Sequence, residues 1–253
     1  MQLAHLAWPE VERYLASSDA VVIPIGSTEQ HGPNGLCGTD FLTADGIARA
    51  AGDAAGVLVA PPLPYGMATH HMGFAGTVTL RPSTLMAMVH DVVGSLHRHG
   101  FRGFYFMNGH GGNIATLHAA FSEVHHALAG CRFRLTSWWQ NAEVRKLEKE
   151  LFGEKNGRHA TPSEISVTMH LAPGAVEPLG APAVIEHPRH DWPLSAEDFR
   201  KTFPDGRMES DPSLADAGAG KRLFDLCVKL VAEDLWSFTS GGRAADAQDR
   251  DAH

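Results

Sequence analysis

The run AVVIPIGS at 20–27 constrains the fold more than any other stretch. Apolar side chains occupy both faces of an extended backbone until Gly and Ser end it, so a strand here needs cover on both sides. Segments of helical spacing alternate with such runs. FLTADGIARAAGDA (41–54) sets Phe41, Ala44, Ile47, Ala48 and Ala51 on one face. GVLVAPPLPYG (56–66) is a second buried run, broken by prolines. RPSTLMAMVHDVVGSLHRHG (81–100) is the clearest amphipathic helix, with Leu85, Met88, Val89, Val92, Val93 and Leu96 as its stripe and Gly100 as its stop. FRGFYFMNGHGGN (101–113) is an aromatic strand that runs into a glycine turn. The connections between strands carry helical residues, which is the pattern of a mostly parallel sheet with helices on both faces.

The remaining segments fit that pattern. WPEVERYLAS (8–17) opens a helix with Pro9 at its first position, and NIATLHAAFSEVHHALAG (113–130) is the helix after the glycine turn. RFRLTSWWQ (132–140) reads as a strand, NAEVRKLEKELFG (141–153) as a polar surface helix and TPSEISVTMHLAPG (161–174) as a short helix. A long helix is expected over about 215–238. One domain over 1–240 is expected, followed by a small, polar, disordered tail at 241–253.

Composition narrows the function classes. A net charge of -8 with no Lys/Arg block argues against binding nucleic acid through a basic face. The three cysteines are widely spaced, which predicts a reducing, cytoplasmic setting and no zinc-finger framework. No apolar run is long enough to span a membrane, and the N-terminus lacks the pattern of a secretory signal. With 16 histidines in the chain, a histidine counts only where its setting is defined.

Two strands end in polar clusters, at the place where open parallel sheets bind ligands. IGSTEQHGPNGLCGTD (25–40) brings Glu29, His31 and Asp40 into a glycine-rich loop, and NGHGGN (108–113) brings His110. Glu29 and His31 are two apart, so an extended backbone points both the same way. Two carboxylates and two imidazoles suffice for a divalent metal, and a carboxylate such as Asp40 can bridge two ions. Plainer readings stand beside this one. Asp40 or Thr39 fits a helix N-cap, Glu29 a solvated surface acid, and the GHGGN turn a phosphate cradle. No Lys-Ser/Thr follows that turn, which excludes a P-loop. TPSE is a capping box in which Glu164 caps Thr161. Trp138 and Trp139 fit a core pair or a pocket lining. His70 and His71 fit a solvated loop or a flap that closes over substrate.

Taken together, these motifs resemble one family. IPIGSTEQHGPNGLCGTD is similar at almost every step to the opening motif of the creatininase (creatinine amidohydrolase) family, LPvGSxEQHGPHLPxxTD. AWPEV, HHMGFAGTVTL, NGHGGN and HATPSE match further motifs in the family's order, over roughly 7 to 175. The resemblance implies a three-layer α/β/α sandwich and hydrolysis of a C–N amide bond. It implies two divalent metal ions per chain, with zinc the first expectation and manganese or iron the alternatives. It also implies a homo-oligomer, a hexamer, acting on a small-molecule substrate with no nucleic-acid or membrane partner.

Carried over residue by residue, it makes Glu29, His31, Asp40 and His110 metal ligands, with Asp40 as the bridge. Creatinine-cleaving members have a Glu ligand where this chain has Gly112, so the role passes to Glu164, expected as ligand and catalytic residue. His159 matches the histidine that protonates the leaving nitrogen. His71, Gly111, Gly112 and Trp138 are the expected substrate contacts. Asn34 replaces a histidine of the family pattern, Ala75 a proline, and Lys155 a tryptophan of true creatininase. These departures count against creatinine itself. Alternatives are hydrolysis of a cyclic ketone or lactone, or release of a short peptide.

Overall fold

The computed structural model describes residues 1–180 and 191–250, with side chains described through residue 240. Four parallel strands form its sheet in the order β2-β1-β3-β4, where β1 is Ala20–Ile25, β2 Leu58–Val59, β3 Gly103–Asn108 and β4 Arg132–Ser137. The helices, in chain order, are α1 (Trp8–Leu15), α2 (Thr39–Ala55), α3 (Pro82–Arg98), α4 (Asn113–Ala127), α5 (Ala142–Phe152), α6 (Pro162–Leu171), α7 (Ala196–Thr202) and α8 (Ala217–Arg250).

The two-faced apolar run has the consequence expected of it. Val21, Ile23 and Ile25 of β1 and Phe104 and Phe106 of β3 pack against Leu85, Val89 and Val93 of α3 and Leu117 and Phe121 of α4. Their neighbours Val22, Tyr105 and Met107 face the other way, onto Ile47 and Ala51 of α2 and Leu223 and Leu235 of α8. The sheet therefore lies between two helical layers, each sealed by its own apolar core. Full burial of each large side chain contributes about 1.5–3 kcal/mol before entropy is counted. A third, smaller cluster of Phe199, Phe203 and Met208, with Phe74 and Leu194 against it, fastens α7 beside the loop that carries His70 and His71.

Some boundaries differ from those expected. β2 shrinks to Leu58–Val59 because Pro61, Pro62 and Pro64 donate no ladder hydrogen bonds; beyond it only an isolated Ile25–Leu63 bridge continues the pairing. β4 ends at Ser137, and Trp138–Gln140 turns as a 3-10 helix. α8 runs to Arg250, past the expected limit at 238 and through most of the segment read as a tail; residues 251–253 lie outside the described residues. The alanines after Gly241–Gly242 are strong helix formers. No described helix is long and apolar enough to cross a membrane.

Candidate metal centre

β1 and β3 pair in parallel with Ile25 opposite Asn108, so the loops that follow them leave the sheet at one level. Two glycines let those loops touch. A Cβ on Gly109 would lie 1.9 Å from the Asp40 carbonyl oxygen, and one on Gly112 would lie 2.4 Å from His110 Nε2. The asparagines that bracket the turn brace it. Asn108 Oδ1 accepts from the His110 N–H (3.1 Å) and from Asn113 Nδ2 (3.3 Å). Asn113 also donates to the Gly26 carbonyl (2.9 Å) and accepts from the Met67 N–H (3.0 Å).

This frame gathers Glu29, His31, Asp40 and His110 in the interior, with Glu29 fully buried. Three sets of potential ligand atoms lie within 4.8 Å of one another: Glu29, Asp40 and His110; His31, Asp40 and Glu164; and Glu29, His31 and His159. Asp40 belongs to the first two. It is not the cap of α2, whose N-cap is Gly38, and Glu29 is not a solvated acid.

Hydrogen bonding fixes which nitrogens face the centre. The Glu29 carbonyl can only accept, so His31 Nδ1 donates to it (3.1 Å) and turns Nε2 toward Asp40 Oδ1 (3.0 Å). His110 Nε2 donates to the Met67 carbonyl (3.0 Å), which leaves Nδ1 facing Glu29 Oε1 (3.3 Å) and Asp40 Oδ2 (3.1 Å). Metal-binding histidines are typically oriented by such an outer N–H bond. The nearest imidazole nitrogens to Glu29 Oε1 and Asp40 Oδ2 are His71 Nε2 and His110 Nδ1 at 3.3 Å from the former and His110 Nδ1 at 3.1 Å from the latter. Buried carboxylates that meet one another across imidazoles need positive charge between them, which a cation or protons can supply. Among the described residues, no Lys or Arg forms an ion pair with Glu29, Asp40 or Glu164.

The electrostatics make the same demand. Burial opposes charge on His31 and His110, yet Asp40 and Glu164 around the first and Glu29 and Asp40 around the second hold them protonated up to about 10 and about 9. Burial lifts Glu29 to about 7 against the pull of His110. Burial also opposes charge on Asp40, but His31 and His110 keep it below the usual carboxylate range. With protein atoms alone, protons must supply the positive charge that bound cations would bring.

Glu164 divides its two oxygens. Oε1 accepts the Thr161 N–H at 2.5 Å, completing the capping box, while Oε2 lies 3.9 Å from His31 Nε2. Capping and cluster membership are thus compatible. His71 is buried, its ring stacked on His159 at 4.3 Å, and its Nε2 is 3.3 Å from Glu29 Oε1. The solvated-loop reading fails for it. Gly111 and Gly112 open α4, where unpaired backbone N–H groups gather. Trp138 is buried in the α2–α8 core and also borders a cavity beside Glu164, so both readings of it hold.

Gln30 had no role in the motif reading, yet it orders the proton positions above the cluster. Its Oε1 accepts the Gly32 N–H (2.8 Å), so Nε2 is the donor, and the Gly206 carbonyl (3.0 Å) takes one of its hydrogens. The Gln30 carbonyl accepts from His159 Nε2 (2.9 Å), so that nitrogen carries a proton. The second amide hydrogen then goes to His71 Nδ1 (2.9 Å). His159 is left with a bare Nδ1, 3.9 Å from Glu29 Oε1. Burial and neighbouring imidazoles, His159 for His71 and His31 for His159, keep both rings neutral.

Comparison with known proteins agrees with the geometry. The family described as creatininase, creatinine amidohydrolase, matches residues 4–235. A creatinine amidohydrolase from Pseudomonas putida is 27% identical over 251 residues, covering 92% of this chain and 95% of that protein. A mycofactocin precursor peptide peptidase from Mycobacterium ulcerans is 30% identical over 229 residues, covering 84% of each. Among solved structures, one described as creatininase Mn superposes with a TM-score of 0.78 at 25% identity, over 94% of this chain and 98% of that one.

Proposed function

The chain belongs to the creatininase family, and from that premise we propose that it hydrolyses a C–N amide bond at a centre of two divalent ions. One ion would be held by Glu29, Asp40 and His110, the other by His31, Asp40 and Glu164, with Asp40 shared. The observation that carries this reading is the pair of buried carboxylates, Glu29 and Asp40, with no Lys or Arg in ion-pair contact among the described residues, faced by two histidines whose outer nitrogens are tied to backbone carbonyls. Zinc is the first expectation, with manganese or iron as alternatives, since a His/Asp/Glu set accepts all three. A hexamer belongs to the same proposal and rests on the family alone.

When bound, such ions make water nucleophilic near neutral pH and polarise a carbonyl. The chain's own part is proton handling and orientation. His159 rests neutral with Nδ1 bare, so it takes a proton from the attacking water and delivers it to the leaving nitrogen. It therefore begins as a base and ends as an acid. Thr161 takes Oε1 of Glu164 and Oε2 faces the cluster 3.9 Å from His31 Nε2, so we assign Glu164 the part of ligand through Oε2 and the proton transfers to His159. His71, buried above Glu29, would shield the centre from water, and the Gly111–Gly112 backbone N–H groups ahead of α4 would stabilise a developing oxyanion. A peptidase that matches 84% of this chain at 30% identity supports a peptide-like amide as the second reading, ahead of a cyclic ketone because the 3-dehydro-scyllo-inosose hydrolase that matches at 34% identity covers only 40% of this chain.

Elemental analysis of the purified protein, combined with amine release from an amide panel, tests the proposal. Close to two divalent ions per chain and metal-dependent amine release are expected. A protein that takes up no ion after metal supplementation would overturn it.

A further inference from the structure

Two cavities meet at the centre. One, of about 490 Å³, lies on the Asp40–Glu164 side and is bordered by Trp139, Arg145, Glu148 and Asn156. The other, of about 510 Å³, lies on the Glu29–His71 side and is bordered by Met67, Trp192, Leu194 and Met208. His110, Gly111, Arg158 and His159 line both, so the reacting groups stand at the seam. Each chamber alone is within the range that takes a drug-sized ligand. A small cyclic amide would leave most of this space to water.

The two chambers differ in chemistry. The Met67–Met208 side offers thioethers, a leucine and an indole. To the shared Arg158 the other side adds Arg145 and Glu148, and the pairings of these three differ. Arg158 is paired with Glu209 at 2.7 Å. Glu148 is buried and engaged by Ser163 and Asn156. Arg145 is exposed on α5 and has no ion pair among the described residues. Its charge acts on Glu148 without an ion-pair contact, and a guanidinium whose hydrogen-bonding edge is not taken by an acid, at the rim of a polar chamber, suits a carboxylate, which it can grip with two parallel hydrogen bonds.

We propose that the substrate is a linear amide lying across the centre, with a carboxylate-bearing end against Arg145 and an apolar end in the Met67–Met208 chamber. The proposal rests on the amide-hydrolase reading above and adds the shape and charge of its substrate. Water adds its oxygen to the carbonyl carbon, the C–N bond breaks, and the nitrogen leaves with a proton. The products are a carboxylic acid and an amine, and no other co-reactant enters.

The test uses metal-replete protein. N-hexanoylglycine and N-hexylsuccinamic acid carry the same two ends in opposite order about the amide. N-ethylhexanamide lacks the carboxylate, N-acetylglycine lacks the apolar end, and 2-pyrrolidinone is the small cyclic comparator. One of the first two should be cleaved with kcat/KM at least about tenfold above all three comparators, the size of effect a charge-assisted contact supplies. Arg145→Met should collapse the ratio of charged to neutral amide toward one, mainly through KM. It should also weaken calorimetric binding of N-hexanoylglycine about tenfold, and Arg145→Lys should restore part of both. Preferred cleavage of 2-pyrrolidinone, or a ratio and a binding constant that Arg145→Met leaves in place, overturns the proposal while the amide-hydrolase reading stands. Metal-loaded protein that cleaves no amide overturns both.

Discussion

Glu164 reaches Thr161 and the cluster with different oxygens: Oε1 accepts the Thr161 N–H at 2.5 Å while Oε2 faces His31. Glutamine can also close a capping box. Glu164→Gln should therefore keep the thermal midpoint within a degree or two and lower affinity for one ion by at least ~100-fold, as judged from losses that even outer contacts cause. Thr161→Ala should do the reverse, costing about 1 kcal/mol of stability while two ions remain. Calorimetric metal titration beside thermal melts separates the two effects.

Asp40 is common to both ligand sets. Asp40→Asn keeps the shape and removes the charge, so both ions should be lost together after dialysis. Mass spectrometric metal counting checks this; retention of one full equivalent would assign Asp40 to a single ion.

His159 touches the cluster only at 3.9 Å, and its Nε2 is held by the Gln30 carbonyl. His159→Ala should leave metal content unchanged and lower kcat by about 10²–10⁴-fold. Gln30→Leu removes the donor to His71 and should lower kcat by about 10–100-fold with metals retained. The histidine ring-nitrogen NMR shifts of that variant should report a changed proton position on His71.

The metal-stripped protein should lose stability as pH rises. Glu29 is raised to about 7 in the fold, so its burial costs stability increasingly between about pH 4.3 and 7. His31 and His110 are raised to about 10 and about 9, so their contribution is complete below about pH 6.5 and is lost as pH climbs through those values. Asp40 is lowered, so its contribution is present above about pH 4 and is lost only in stronger acid. Melts of chelated protein should thus peak on the acid side of neutrality. Added metal should flatten the alkaline fall and release protons, which titration in buffers of different ionisation enthalpy measures.

Gly109 sits where a Cβ would lie 1.9 Å from the Asp40 carbonyl oxygen. Gly109→Ala should push the start of α2 away from His110 and weaken metal binding before any loss of secondary structure, seen as reduced metal content with an unchanged far-ultraviolet spectrum.

Much of this was legible in the sequence. The run at 20–27 has no polar face to give to water, and that alone called for helices on both sides. Glu29, His31, Asp40 and His110 could be singled out because glycines surround them and strands precede them. The capping box at 161–164 is visible as well, and the resemblance adds a ligand role for Glu164, but spacing does not say which oxygen serves which, and only the structure separates Oε1 from Oε2. Gln30 was hidden because its partners, His71, His159 and Gly206, come from distant segments. Arg145 and Glu148 looked like ordinary members of a polar surface helix, and only the packing of α5 beside α6 brings them to the cavity. The lengths of β2 and α8 were misjudged because prolines thin a ladder gradually and glycines do not always stop a helix.

The register of β1 against β3 also governs whether the cluster assembles. The loop after β1 brings Glu29, His31 and Asp40 and the loop after β3 brings His110, so the two halves of the cluster meet only when strands separated by α2, β2 and α3 have aligned. A slip of β3 along β1 would therefore take His110 away from the three side chains of the first loop while leaving each loop intact.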